Sequence, residues 1–168
     1  MSLGFFILAS ALLIYAALHD LAARTVPNWL SVALLLIGVC ARVADHSLLA
    51  GLAAAAIAFV LLFGVWIGGA MGGGDVKLWA ATVLVVPPFW QSQLAFFLDV
   101  VVLGGVLALI YLALSFLVPR VRASSAGGLF KRAVRAELWR IRRRASLPYA
   151  CAIAGGAFAI LLPHAFQP

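Results

Sequence analysis

Five carboxylates stand in a chain of 168 residues: Asp20, Asp45, Asp75, Asp99 and Glu137. Two of them have neighbours that single them out. Asp20 closes a first apolar run and leads into the turn Leu21-Ala22-Ala23-Arg24-Thr25-Val26-Pro27-Asn28. Asp75 follows the glycines Gly72, Gly73 and Gly74 and opens a later apolar run through Val76, Lys77 and Leu78. Two aspartates about 3 Å apart cannot both ionise, so they share one proton. The ionised member can then activate a water against an amide carbonyl. The protonated member polarises that carbonyl and later protonates the leaving amine. The plainer account makes the two acids unrelated helix-end residues, because a carboxylate near a helix N-terminus, as at Asp75, is favoured by the helix dipole in any protein.

The surroundings of Asp75 favour chemistry. Glycine lets another backbone approach closely, and holding a peptide substrate in extended form requires that. An irregular segment at membrane depth is tolerated only where it lines a wet cavity or is buried in protein. Lys77 can snorkel to the interface and would favour an ionised neighbour. Gly64, Gly68 and Gly72 follow small-xxx-small spacing, which predicts close packing of the third helix on a neighbour.

The elements that must position these acids follow from composition. The chain is 66% hydrophobic and 10% charged, against roughly 45–50% and about 25% in a soluble domain. A water-soluble globule is excluded, as are a disordered tail and, with two cysteines, a disulfide scaffold. At about 20 apolar residues per span, the chain supplies five or six spans and leaves no room for a separate soluble domain. Apolar runs cover 3–19, 29–44, 48–67, 94–118 and 147–163. No Lys or Arg precedes the first run, so it lacks the basic region of a secretory signal and reads as a retained span. The segment 76–90 is short and meets Pro87-Pro88. It reads either as a re-entrant piece or as a short fourth span. Counted as a span, it places 11 of the 12 basic residues on one face, with Arg42 alone opposite. The expectation is therefore an all-α polytopic membrane protein of one domain, 1–168, with six transmembrane helices and both termini outside. The positive-inside rule puts the basic loop 119–146 in the cytoplasm. Asp20 and Asp75 then share a depth at the cytoplasmic boundary, while Asp45 and Asp99 lie toward the outer side.

Nine basic residues fall between positions 120 and 144, with Glu137 the single acid among them. Phe130, Val134, Leu138, Ile141 and Ala145 recur there at helical spacing, which predicts an amphipathic helix lying on the anionic lipid of the inner leaflet. A solvated linker helix is the simpler alternative. No nucleic-acid motif accompanies the charge, so no nucleic acid is expected as a partner. Cys40 and Cys151 form no CxxC pair, which excludes a thiolate zinc site, and both read as packing residues. His46 and His164 lack further ligands, so neither metal nor cofactor is expected. His19 adjoins Asp20 but points about 100° away on a helix, so it reads as an interfacial histidine. Asp99 is expected to pair with Arg42 or to face the outer interface. Neither Gly-x-Ser-x-Gly nor His-Glu-x-x-His occurs, which disfavours serine and zinc proteases.

Gly72-Gly73-Gly74-Asp75-Val76-Lys77-Leu78 resembles the GxGDxKL signature of type IV prepilin peptidases, the bacterial members of the GxGD intramembrane aspartyl proteases. Asp20, followed seven residues on by Pro27-Asn28, resembles that family's first motif. Leu147-Pro148-Tyr149-Ala150 is similar to the Pro-Tyr/Phe opening of its final helix. The resemblance implies Asp20 and Asp75 as the catalytic pair. It implies Gly72, Gly74, Lys77, Pro27, Asn28, Pro148 and Tyr149 as residues that shape the site or bind substrate. The implied substrates are pilin or pseudopilin precursors, whose short basic leader is cut at the cytoplasmic side of the bacterial inner membrane, before a hydrophobic helix. Larger members carry an N-terminal methyltransferase region, often with two CxxC zinc pairs, and neither fits here. Pilin N-methylation is then expected to be absent or done elsewhere, and the chain resembles the short branch serving tight-adherence (Flp) pili. Two other classes stay open on the residues alone. One is a small proton- or ion-coupled transporter with Asp20, Asp75 and Asp99 as ion sites. The other is a non-catalytic scaffold of pilus assembly.

Overall fold

Long apolar stretches interrupted by Pro, Gly and short polar turns leave helices as the economical way to satisfy the backbone in lipid. The computed structural model describes residues 3–117 and 147–165, and every regular element among them is helical. In chain order these are α1 (Leu3–Ala23), α2 (Asn28–Ala44), α3 (Leu48–Ile67), α4 (Gly73–Val85), α5 (Trp90–Leu117) and α6 (Tyr149–Ala165). Pro27 stands in extended conformation just ahead of α2, where its missing N–H costs nothing. Arg24 and His46 take left-handed backbone, with φ of 57° and 53°, in the turns that end α1 and α2. The expected amphipathic helix and the basic loop 119–146 lie outside the described residues.

Three helices, α1, α3 and α5, are long and apolar enough to cross a bilayer, and α2 and residues Tyr149–Pro163 are apolar but shorter. Large apolar side chains such as Ile57, Val60 and Ile67 on α3 are exposed. A surface of that kind belongs against lipid rather than water, and the protein is a membrane protein. The segment expected at 76–90 folds as α4, with 13 residues ending at Val85, and α5 starts at Trp90 rather than 94. At 1.5 Å per residue α4 is roughly 20 Å long, against about 30 Å of hydrocarbon.

The chain divides into two compact units, Met1–Leu103 with Pro148–Pro168, and Gly104–Leu147. In the second, the described part is the end of α5, where the Ser115 hydroxyl donates to the Leu112 carbonyl at 2.7 Å. In the first, α4 is the core. Val76 and every residue from Leu78 to Val85 are buried, by α2, α3 and α6, while α1 packs on α6 and α2. A helix apolar on all sides belongs either in a protein core or against lipid, and α4 takes the first place. Trp79 lays its ring against Phe96 and Phe97 of α5, with centroids 6.3 and 5.3 Å apart. The one hydroxyl on α4, Thr82, donates to the Leu78 carbonyl at 2.7 Å.

The last carbonyls of α4 have no partner within the helix. The Gln93 side-chain amide donates to the carbonyl of Val83 near the end of α4 and to those of Val86 and Pro87 just beyond it, at 3.1, 3.1 and 3.2 Å. Gln93→Leu is therefore expected to cost about 1–3 kcal/mol, the penalty of leaving buried carbonyls unpaired. It should appear as a lower thermal midpoint of the solubilised protein. An unchanged midpoint would show that other groups satisfy these carbonyls.

Close helix contacts do not follow the glycine spacing. Gly64 has nothing within 4 Å of where a Cβ would stand, and Gly68 meets only carbonyls of its own helix. Both sit on the exposed side of α3, so the expected tight packing there is not found. The close approach of α3 is at Gly51, where a Cβ would meet Arg42 Cγ at 2.8 Å. On α2 it is at Gly38, where a Cβ would stand 2.6 Å from Leu84 Cβ and 3.0 Å from the Leu84 carbonyl carbon. Arg42 is buried and bridges Asp45 at 3.1 Å, three residues on in sequence, not Asp99, which lies on α5 beside Gly156. Cys40 is exposed, so it does not pack inside the fold as expected. Cys151 is half-buried and places its Sγ 3.6 Å from the Ala17 carbonyl.

Candidate active site

The buried stripe of α1 is Ala9, Leu13, Ala16 and Asp20, at spacings of four, three and four that share one helix face. Asp20 is thus the last position of an apolar seam, which explains why a carboxylate is only 4% exposed. One group that stabilises it there comes from the start of α6: the Ala150 N–H donates to Asp20 Oδ2 at 3.1 Å. Beyond Asp20 the chain turns sharply. The Arg24 N–H donates to the Asp20 carbonyl at 2.7 Å. His19 Nδ1 donates to the Thr25 carbonyl at 2.8 Å, and Tyr15 lies against His19 and Trp29 with tilted rings, centroids 5.9 and 5.7 Å apart. His19 therefore straps the α1–α2 turn in place.

Gly72 caps α4 in extended backbone, without a side chain to accept the first amides. Its carbonyl accepts the N–H groups of Asp75 and Val76 at 3.1 and 3.2 Å. The Asp75 carboxylate turns back to the Gly72 amide, which is half of a capping box. A Cβ at position 72 would lie 2.9 Å from Asp75 Oδ2, so the turn needs glycine for this carboxylate to fold over it. Gly73 packs on the Trp66 indole, and Gly74 on Val26, with 3.3 and 3.4 Å to where a Cβ would be.

These contacts join the two motif segments. Val26 of the first touches Gly74 of the second. Lys77 Nζ donates to Asn28 Oδ1 at 3.3 Å, across 49 residues of sequence. Pro27 starts α2 with its carbonyl accepting the Leu30 N–H at 3.1 Å. Pro148 does the same for α6, accepting the Cys151 N–H at 3.1 Å, and Tyr149 is the first residue of that helix. Asp75 stands in the first turn of α4, ahead of its apolar run. Burial, and then the nearby charge of Asp20, push its carboxyl up to about 7, against the opposing effect of the Gly72 amide. The two acids are thus close enough to feel each other's charge. Asp45 belongs to the Arg42 pair, and Asp99 to the α5–α6 contact. No group of three metal-ligating side chains occurs among the described residues.

Three partners of the site were not legible beforehand. Trp66 carries only a generic apolar signal, Val26 stands in the first motif segment with nothing to mark Gly74 as its contact, and the Ala150 amide carries no signal, being backbone.

A helical membrane protein that brings two coupled aspartates to one end of its core is the class these observations define. A family model described as the type IV leader peptidase family matches residues 7–113, and the chain belongs to that family. Membership carries a peptidase activity, with pilin precursors in general as substrates. The match includes Asp20, Pro27, Asn28, Gly72, Gly74, Asp75 and Lys77 and ends before α6. Neither a curated protein nor a solved structure matches the chain.

Proposed function

We propose that the protein is an aspartic endopeptidase in which Asp20 and Asp75 together activate a water to remove the leader of type IV pilin or pseudopilin precursors, of the Flp type. The observation that carries this reading is the electrostatic coupling of Asp75 to Asp20, with each carboxylate tied to a backbone amide. One proton shared by the pair supplies a base for the water and an acid for the leaving amine. The exposed Gly72 puts no side chain beside Asp75, which leaves room for an extended peptide along it. Lys77, engaged by Asn28, holds the two segments together. In this reading the helices make six passes of the bacterial inner membrane with both termini outside. The reaction takes place at the cytoplasmic face, and the loop 119–146 lies on anionic lipid. The two acids attract the basic leader.

Cleavage of a pilin precursor by the full chain in vesicles, with and without each carboxylate, tests the reading. Its pH profile tests the shared proton. The singly protonated pair is the active form, so the rate is expected to fall as pH rises through about 7, where Asp75 loses its proton, and to fall again in acid as the second carboxylate is protonated. The limbs belong to the pair rather than to either residue. A flat profile between about pH 5 and 9 would count against a carboxylate pair.

A further inference from the structure

We infer that the first turn of α6 is a working part of the site, with the Ala150 amide acting as the positioning group that holds the Asp20 carboxyl for reaction. This rests on the proposed aspartate pair and adds a group that lies beyond the family match, which ends at residue 113. The Ala150 N–H reaches Asp20 Oδ2 at 3.1 Å across 130 residues of sequence. Ala150 is fully buried and Asp20 is 4% exposed. Water is therefore a poor substitute for this donor.

The amide is free to make this bond because of where α6 begins. Ala150 is the second residue of the helix, and the first four amides of a helix have no intrahelical acceptor. Donation to Asp20 thus takes nothing from α6 and satisfies an otherwise orphaned buried N–H. Pro148 fixes the start: it is buried, has a restricted φ and no donor of its own, and accepts the Cys151 N–H. The positive end of the helix dipole then faces a carboxylate, which favours its ionised form. Small residues let the two helices approach. Ala16 on α1 and Ala152 and Ala157 on α6 are all buried, and Cys151 Sγ lies 3.6 Å from the Ala17 carbonyl. Asp75, by contrast, takes its amide from its own turn at Gly72. The pair is held from two directions by two helix starts. Neither anchor is a long side chain that could swing away.

The test removes one hydrogen. In the full-length chain, nonsense suppression with the lactic acid analogue of alanine at position 150 replaces the amide by an ester, and Ala150→Pro removes the same N–H by ordinary mutagenesis. Both are assayed in vesicles on a pilin precursor and melted in detergent, each with Asp20 and with Asp20→Ala. The expected result is a kcat lower by about tenfold or more, the usual scale for a hydrogen bond to a charged group, with KM unchanged. The thermal midpoint should also fall, and that fall should vanish in the Asp20→Ala background. A kcat within twofold of wild type overturns the inference, as does an equal fall in midpoint whether or not Asp20 is present. If either chain fails to fold with Asp20 and equally with Asp20→Ala, the amide serves the helix and not the carboxylate, and the inference is overturned. The outcomes separate from failure of the aspartate pair itself: an active Asp20→Asn variant sinks both, whereas an inactive Asp20→Asn beside an unaffected ester sinks only the role of Ala150.

Discussion

Asp20→Asn or Asp75→Asn is expected to stop leader removal while the chain still inserts and folds. Each change keeps the shape of the side chain and removes its ability to carry the proton. At position 20 the asparagine oxygen can still accept the Ala150 N–H, so the α1–α6 contact survives. What is lost is acid and base function, which contributes about 10²–10⁴-fold in rate, so processing of a co-expressed precursor should fall to that residual or below detection. Asp99→Asn is the control. Its neighbour is Gly156 on α6, away from the pair, and cleavage should stay within a few-fold of wild type. If either variant at 20 or 75 trims the leader at the normal rate, the aspartic reading fails. If only Asp99→Asn loses activity, the ion-coupled transporter becomes the better account.

Gly38→Ala is expected to be among the most damaging small changes in the fold. A Cβ there would stand 2.6 Å from Leu84 Cβ, 3.0 Å from the Leu84 carbonyl carbon and 3.2 Å from the Val85 nitrogen. Those atoms are main chain or directly attached to it, so relief requires α2 and α4 to separate rather than a rotamer to turn. Overpacking of this kind costs about 1–3 kcal/mol, and Gly38→Val should cost more. Because α4 begins with the Asp75 turn, cleavage should drop along with the thermal midpoint. Gly64→Ala makes the comparison decisive: nothing lies within 4 Å of that position, and alanine is the better helix former by about 1 kcal/mol. Its midpoint should be unchanged or higher. Equal midpoints for the two alanine variants would show that α2 and α4 are not in such close contact.

Those two glycines show where sequence reasoning reaches its limit. Small-xxx-small spacing picks out Gly64, Gly68 and Gly72, but spacing describes one helix and says nothing about which side a neighbour occupies. Gly38 has no such repeat around it, yet it lies at the crossing. The two acids were legible because so few charges occur in this chain and because each stands where an apolar run stops. Their mutual approach depends on contacts 49 and 130 residues apart, Lys77 with Asn28 and Ala150 with Asp20. No periodicity encodes either of them. Arg42 was expected to pair with a remote acid or none, and Asp45, three positions along, reaches it first. The short segment before Pro87-Pro88 reads as a short fourth span rather than a re-entrant piece because of where the charges fall, and neither its length nor those charges show that it is enclosed. Burial on all sides of residues 78–86 is a tertiary fact.

That enclosure has a mechanical corollary. Helices that touch lipid tilt or shift when the bilayer thickens or thins, and here α1, α3 and α5 have the length and the apolar surface to respond in that way. The element carrying Asp75 is surrounded by protein from Leu78 to Val86 and has no hydrocarbon to match. Bilayer thickness therefore acts on Asp75 only through those neighbours, whereas Asp20 is carried by α1 itself.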